Sequence, residues 1–296
     1  MIAGLRTLLI LGRVSNLPTV WTNAAVGWFL SGGSWTVELG AIILGISLLY
    51  VAGMTLNDAF DARWDAEHAD DRPIPAGNIS IPAVWTLGFV EMFAGATVLI
   101  FMTSVSTWLI GGLIGCILIY NWLHKRWKGS VIVMGLCRAL VYLCAGSAVA
   151  THTSQLAIPQ VVYLVSIAVV IYIAGLTLAA RSEHLKSAGG TPGNSGLLPR
   201  FMLMLPVLFP LLASQQLPNT PVTIALVSVG VLGTWAWITI IRSNLVTRIP
   251  LGIAYAIAGI AFYDAAILAF ADWRAAIFAL LCFILTLGAQ RVIPAT

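Results

Sequence analysis

Ten apolar runs, each long enough to cross a bilayer, leave this chain few folds to choose from. They fall at about 17–33, 39–56, 83–103, 106–123, 130–151, 158–180, 197–214, 221–241, 250–271 and 274–291. In hydrocarbon every backbone N–H and C=O must find its partner inside the protein, so runs of this length fold as helices packed in a bundle. Composition agrees. Of 296 residues 59% are hydrophobic and 9% charged, where a soluble domain carries about a quarter charged. The expectation is one all-α domain over 1–296, a polytopic membrane bundle.

Lys and Arg orient the bundle. Arg6 and Arg13 precede the first run, Arg63 and Arg72 follow the second, and Lys125, Arg126 and Lys128 follow the fourth. Arg181, Lys186 and Arg200 lie beside the sixth and seventh, Arg242 and Arg248 between the eighth and ninth, and Arg291 near the end. Only Arg274 falls in a loop of the other parity. The positive-inside rule then makes the N-terminus and these loops cytoplasmic, in a multi-pass protein of a bacterial-type plasma membrane. The net charge of +4 is this topology signal, and no nucleic-acid partner is expected. No small-residue cleavage site precedes the first run, so no cleaved leader is expected. Cys116, Cys137, Cys144 and Cys282 all lie in apolar runs and read as small buried hydrophobes.

Chemistry concentrates in Tyr50–Gly77, YVAGMTLNDAFDARWDAEHADDRPIPAG. Six of the chain's 11 acidic residues lie between Asp58 and Asp71. Asp58, Asp61 and Asp65 are spaced i, i+3, i+7, which places three carboxylates on one face if the preceding helix continues through them. Such charges repel unless a cation sits among them. Mg²⁺ takes oxygen ligands and shares them with substrate phosphates, so the pattern points to Mg²⁺ holding a phosphorylated lipid at the mouth of a bundle. A solvated polar loop between two spans is the alternative.

Asn57-Asp58-x-x-Asp61-x-x-x-Asp65, followed by Arg72-Pro73-Ile74-Pro75-Ala76-Gly77, resembles the first aspartate-rich motif of the UbiA family of intramembrane prenyltransferases. RVSNLPTVWTN at 13–23 and GLCRALVYL at 135–143 resemble the EboC-like branch. The resemblance implies nine helices, against ten by hydropathy, and transfer of a polyprenyl group from an allylic diphosphate to a small-molecule acceptor with Mg²⁺ as cofactor. An aromatic acceptor is the common case in the family. The EboC-like resemblance implies a small polar, hydroxyl-bearing one equally. A secondary transporter and a non-catalytic UbiA-like lipid-binding protein are the rival readings.

An internal repeat is visible. Tyr50-Val51-Ala52-Gly53-Met54-Thr55-Leu56 matches Tyr172-Ile173-Ala174-Gly175-Leu176-Thr177-Leu178, four spans later. An even offset makes the copies parallel, with pseudo-repeats at about 13–128 and 135–250 and a pseudo-twofold axis along the membrane normal. Continuing the alignment sets Asp61 against Glu183 and Asp65 against Ser187. The family's second aspartate-rich motif is thus reduced here to Arg181-Ser182-Glu183. Arg181 can contact diphosphate oxygens, pair with Glu183, or lie among headgroups.

Further candidates share the cytoplasmic face. Tyr120, Asn121, Lys125 and Arg126 close the fourth run and are similar to the YN…KR segment of the family; plain positive-inside anchoring is the alternative. Arg13 and Asn16 stand at the entry of the first run, and Arg138 lies inside the fifth, where an arginine is costly without a partner. The expected catalytic set is Asn57, Asp58, Asp61, Asp65, Lys125 and Arg138, the three aspartates also being metal ligands. Arg13, Asn16, Arg72, Tyr120, Asn121, Arg126, Arg181 and Glu183 are expected to bind substrate. Asn16 is expected near Asn57, and Arg138 beside the departing diphosphate. Glu91 and Asp264, inside spans, read as functional acids or as acids hydrogen-bonded between helices. His68, His124, His152 and His184 show no metal-ligand spacing.

Overall fold

The computed structural model describes residues 2–69, 72–152, 157–187, 197–204 and 249–295, with short helical pieces at 233–234, 236–242 and 244–245; of residues 181–187 only the backbone is described. The elements are α1 (Ile2–Leu11), a 3₁₀ turn (Val14–Asn16), α2 (Leu17–Leu30), α3 (Val37–His68), α4 (Ile81–Met102) and α5 (Thr107–Leu123). They continue with α6 (Ser130–His152), α7 (Gln160–Ser187), α8 (Leu197–Met204), α9 (Ile249–Leu268) and α10 (Trp273–Ala289). Among the described residues five helices are long and apolar enough to cross a membrane: α3, α4, α6, α7 and α9. The apolar helices α5 and α10 have 17 residues each. The expected run at 197–214 is described only through Met204, and that at 221–241 only in its last turns, so both lie largely outside the described residues.

Helix starts follow local chemistry. Thr36 caps α3 by accepting from the Leu39 N–H, and Ser80 caps α4 by accepting from the Ala83 N–H. Asp272 caps α10 by accepting from the Arg274 and Ala275 N–H groups at 2.6 and 3.1 Å. Each oxygen satisfies donors that the first helical turn leaves free. Pro18 and Pro82 occupy first turns, where a missing N–H does no harm.

Two features of packing position the site. First, α2 is the central post. It packs against α6, α3, α9 and α10, and its residues from Thr22 to Leu30 are all buried. Its crossing with α6 is so close that a Cβ on Gly27 would collide with the backbone of Tyr142. Second, α3 and α4 run in contact along their length, meeting at Gly45 and Gly95, where a Cβ on Gly95 would stand 2.8 Å from the Gly45 carbonyl oxygen. Small residues of this kind let backbones approach where no hydrophobic gradient drives helices together. The outer faces are apolar, with Phe93 75% and Trp108 88% exposed, as lipid contact requires.

Hydropathy ends the second run at residue 56, but α3 continues as helix to His68. At 32 residues it is about 48 Å long, while the hydrocarbon core needs about 20 residues. The excess carries Asp58, Asp61 and Asp65 beyond the apolar part of the bundle. Tyr50–Leu56 and Tyr172–Leu178 lie within α3 and α7 respectively.

Candidate active site

The continued helix keeps the three carboxylates on one buried face: Asp58, Asp61 and Asp65 are 5%, 7% and 2% exposed. Side-chain cations stand among them. Arg72 Nη1 lies 3.1 Å from Asp58 Oδ1 and 3.5 Å from Asp65 Oδ2. Arg13 Nη2 lies 3.4 Å from Asp58 Oδ1, and Lys125 Nζ lies 3.2 Å from Asp61 Oδ2. His124 Nε2 is 3.1 Å from the same Asp61 oxygen. Three carboxylates thus meet Arg13, Arg72, Lys125 and a histidine, and repulsion along α3 is offset by direct pairing.

Each cation arrives from a different element. Arg13 sits between α1 and the 3₁₀ turn with φ 43° and ψ 48°, the left-handed region. This conformation costs a non-glycine residue about 1 kcal/mol or more and is held only where the surroundings demand it. Here it sends the guanidinium to Asp58 and to Met54 Sδ, 3.5 Å from Nη1. Arg72 comes from the α3–α4 loop, where backbone turns at 72–78 close on Ile74, Pro73 and Arg72 carbonyls and Gly77 takes φ 73°. Lys125 follows the end of α5 and lies 3.4 Å above the Trp64 ring, which fixes its stem against α3.

Asn57 donates to Asn121 Oδ1 at 3.2 Å, and Asn121 Nδ2 donates to the Gly53 carbonyl at 2.9 Å, so this pair ties α5 to α3 beneath the carboxylates. Tyr120 stacks on His124 at 5.2 Å between ring centroids. His124 is a site residue that metal-ligand spacing missed. Its signal is helical: it stands one turn after Tyr120 and Asn121, on the face they share. Its two ring nitrogens lie 3.1 Å each from Asp61 Oδ2 and the Asn121 carbonyl oxygen. Arg126 is exposed.

Below the cluster lies a partly open cavity between α2, α3, α5 and α6, walled chiefly by apolar side chains such as Leu49, Leu113, Ile117 and Met134. Tyr120, Asn121 and Met54 rim it toward the carboxylates, and Arg138 lines its wall.

Two expected site residues stand elsewhere. Asn16 is drawn to the C-terminal segment: its Nδ2 donates to the Ala295 carbonyl at 2.9 Å, and its Oδ1 accepts from Gln290 Nε2 at 3.1 Å. It is a strut, spent before it can orient Asn57. Arg138 lies deeper than the carboxylates, with its guanidinium carbon 5.6 Å from the Tyr50 ring centroid and Nη1 donating to Asn23 Oδ1 at 2.9 Å. Tyr50 precedes Asp58 by eight residues, about 12 Å along the helix, so Arg138 belongs to the cavity wall rather than to the ion-pair cluster. Arg181 and Glu183 have side chains outside the described residues. Asp264 is hydrogen-bonded between helices: it accepts from Thr22 Oγ1 at 2.6 Å, Asn23 Nδ2 at 2.7 Å and Tyr142 OH at 2.6 Å.

The carboxylates fit a hard cation. Their donors are all oxygen, and Asp65 Oδ1 is buried with no hydrogen-bond partner among the described residues, Lys125 Nζ standing 3.9 Å away. Among the described residues no three acidic, histidine or cysteine side chains converge on one point, because cations separate the aspartates. A metal held here would complete its coordination with phosphate oxygens and water, as Mg²⁺ commonly does.

Fold and site together define a membrane-embedded helical bundle with an acid-and-base cluster at the mouth of an apolar chamber. The UbiA prenyltransferase family matches residues 16–287, and the chain belongs to that family. Among solved structures it resembles a UbiA homolog from Aeropyrum pernix K1 without ligand, with TM-score 0.68 at 16% identity over 88% of this chain and 98% of that one. It also resembles a UbiA homolog from Archaeoglobus fulgidus bound to DMAPP and Mg²⁺, with TM-score 0.56 at 15% identity over 97% of this chain and all of that one (100%). In sequence it is similar to the digeranylgeranylglyceryl phosphate synthase of Methanoregula boonei, 28% identical over 34% of this chain and 37% of that protein. The matches span only 33% to 51% of the length of such archaeal synthases.

Proposed function

We propose that this protein is an intramembrane prenyltransferase that moves a polyprenyl group from an allylic diphosphate to a hydroxyl of a small acceptor. The observation that carries the reading is the cluster of Asp58, Asp61 and Asp65 with Arg13, Arg72 and Lys125 at the mouth of the cavity. An apolar chamber takes the prenyl chain, and the charged mouth takes the diphosphate.

The chemistry follows from that division. The bond from the allylic carbon to the diphosphate oxygen breaks, and its electron pair leaves with the diphosphate. Arg13, Arg72 and Lys125 are partly exposed, at 19%, 29% and 32% of their side chains, and can exchange a carboxylate for a phosphate oxygen without moving far. They stabilise charge where it develops. Mg²⁺ held by Asp58, Asp61 and Asp65 with the diphosphate would withdraw electron density from the leaving group. The acceptor oxygen then bonds to the allylic carbon, and its proton leaves to water. Asn57 and Asn121 hold the α3–α5 rim in register, and Tyr120 faces the chain where it enters the cavity.

A hydroxyl acceptor is favoured over an aromatic ring. The synthases similar to this chain are named for a glyceryl phosphate product, and the EboC-like resemblance of 13–23 and 135–143 also points to a hydroxyl. Arg181 is proposed to touch diphosphate oxygens from the second half, with Glu183 the one acid left of the second motif. Both would act at the cytoplasmic face, where the Lys and Arg pattern sets the loops.

The test is incubation of purified protein with labelled geranylgeranyl diphosphate and a lipid extract. A labelled, more apolar product formed only with Mg²⁺ is expected. Vesicle uptake of a solute with no Mg²⁺ requirement and no prenylated product would instead favour transport.

A further inference from the structure

The proposal here rests on the prenyl-transfer reading and concerns the acceptor. We propose that Arg138 binds an oxyanion on the acceptor, a phosphate or a carboxylate, inside the cavity and on the carbon side of the diphosphate site.

Arg138 is 7% exposed and lines a cavity that is otherwise nearly all apolar. A guanidinium carries five N–H donors. Among the described residues its head makes one hydrogen bond, from Nη1 to Asn23 Oδ1, and rests on the Tyr50 ring. A buried cation with most of its donors unspent is strongly unfavourable unless something supplies acceptors.

The surroundings hold Arg138 in place without satisfying it. Asn23 has its amide orientation fixed, because Nδ2 donates to Asp264 Oδ2 at 2.7 Å and to Tyr142 OH at 3.1 Å, leaving Oδ1 for Arg138. Asp264 is filled by Thr22, Asn23 and Tyr142. The nearest buried carboxylate therefore compensates the arginine's charge across an intervening amide rather than by direct contact. A direct ion pair would consume the fork that a ligand needs, whereas this arrangement leaves it open toward the cavity.

The diphosphate has its own cations. Arg13, Arg72 and Lys125 meet the carboxylates at the mouth, and Arg138 lies at the level of Tyr50, about 12 Å along α3 from Asp58. The donor's reacting carbon hangs between these two levels. An acceptor anchored by an anion at Arg138 would present a hydroxyl toward that carbon. Recognition by a buried guanidinium also rejects neutral analogues, since they leave the charge unpaired.

The experiment is equilibrium binding to the full-length protein in detergent. The probes are the thio-diphosphate analogue of geranylgeranyl diphosphate, geranylgeranylglyceryl phosphate, its neutral alcohol geranylgeranylglycerol, and 4-hydroxybenzoate. Arg138→Gln is expected to weaken one anionic probe at least about tenfold, the phosphate or the benzoate according to which oxyanion the site takes. Donor analogue and neutral alcohol should change less than about threefold, which also reports an intact fold. Should Arg138→Gln fail to fold, Arg138→Lys keeps the charge but loses the fork, and it is expected to weaken the same probe about threefold to tenfold. The inference is overturned if the donor analogue weakens as much as the anion. It is overturned equally if wild type binds the alcohol as well as the phosphate, or binds the donor analogue but neither anionic probe. Absence of donor binding in wild type would instead sink the prenyl-transfer reading beneath it.

Discussion

The molecule handles acid–base clusters in two ways. At the mouth, three carboxylates touch Arg13, Arg72, Lys125 and His124 directly, with each cation partly exposed. In the interior, one carboxylate and one guanidinium are kept apart, joined through Asn23. Ion pairs near water are worth little and exchange partners readily. Buried ones are fixed by the neighbours that satisfy them. The mouth is thus built to release its pairs to a ligand, and the interior is built to stay put.

Breaking the mouth should have the largest consequence. Asp58→Ala, Asp61→Ala and Asp65→Ala are each expected to lower transfer by about 10³-fold or more, the scale of losing a charge-stabilising group from a reacting centre. Thermal unfolding should move little, because the cations left behind are partly exposed and can turn to water. Turnover and melting measured on the same preparation separate the two effects.

Breaking the interior should reverse the pattern. Asp264→Ala removes the acceptor for Thr22, Asn23 and Tyr142 and leaves Arg138 without a counter-charge. Destabilisation of roughly 3–5 kcal/mol is expected, read as a lowered unfolding midpoint in detergent. Asp264→Asn keeps an acceptor and should lose less.

The same contrast explains what the sequence made legible. Runs of apolar residues mark α4, α5, α6, α9 and α10 to within a few residues, because hydrocarbon length dictates them, while α3 and α7 run on past their apolar runs to His68 and Ser187. The apolar run of α3 stops at residue 56, because hydropathy falls where the helix leaves the membrane, while helical backbone bonding continues to His68. Even so, the i, i+3, i+7 spacing placed the carboxylates correctly on one face. The partners of Arg138 and Asp264 were not legible. Thr22, Asn23 and Tyr142 stand 115 to 242 residues from the groups they meet, and no periodicity encodes such a meeting. Asn16 misled for the same reason: nothing local announces that Gln290 and Ala295 claim it.

The second half of the chain sharpens the comparison at smaller scale. Its matched window offers Glu183 and Arg181 in place of three acids. Glu183→Gln is expected to impair transfer less than Asp61→Asn. Arg181→Ala should chiefly raise the donor KM, by about ten- to a hundredfold, the worth of one charge-assisted phosphate contact. Equal damage from Glu183→Gln and Asp61→Asn would mean that the second motif is as demanding as the first.

The smallest effect is expected at the other end of α3. His152 Nε2 lies 2.6 Å from Glu38 Oε2, with 53% of the histidine side chain exposed. This pair resembles those at the mouth in exposure but lies far from the cavity. His152→Ala should cost less than about 1 kcal/mol and leave transfer unchanged in the same assays.

The central claim is that the carboxylate cluster receives the donor diphosphate together with Mg²⁺. Its most direct test is binding of the thio-diphosphate analogue of geranylgeranyl diphosphate, titrated against Mg²⁺, in wild type, Asp61→Asn and Arg138→Gln. Mg²⁺-dependent binding is expected in wild type and in Arg138→Gln, and its loss in Asp61→Asn. Binding in Asp61→Asn that matches wild type, or binding in wild type indifferent to Mg²⁺, would contradict the account.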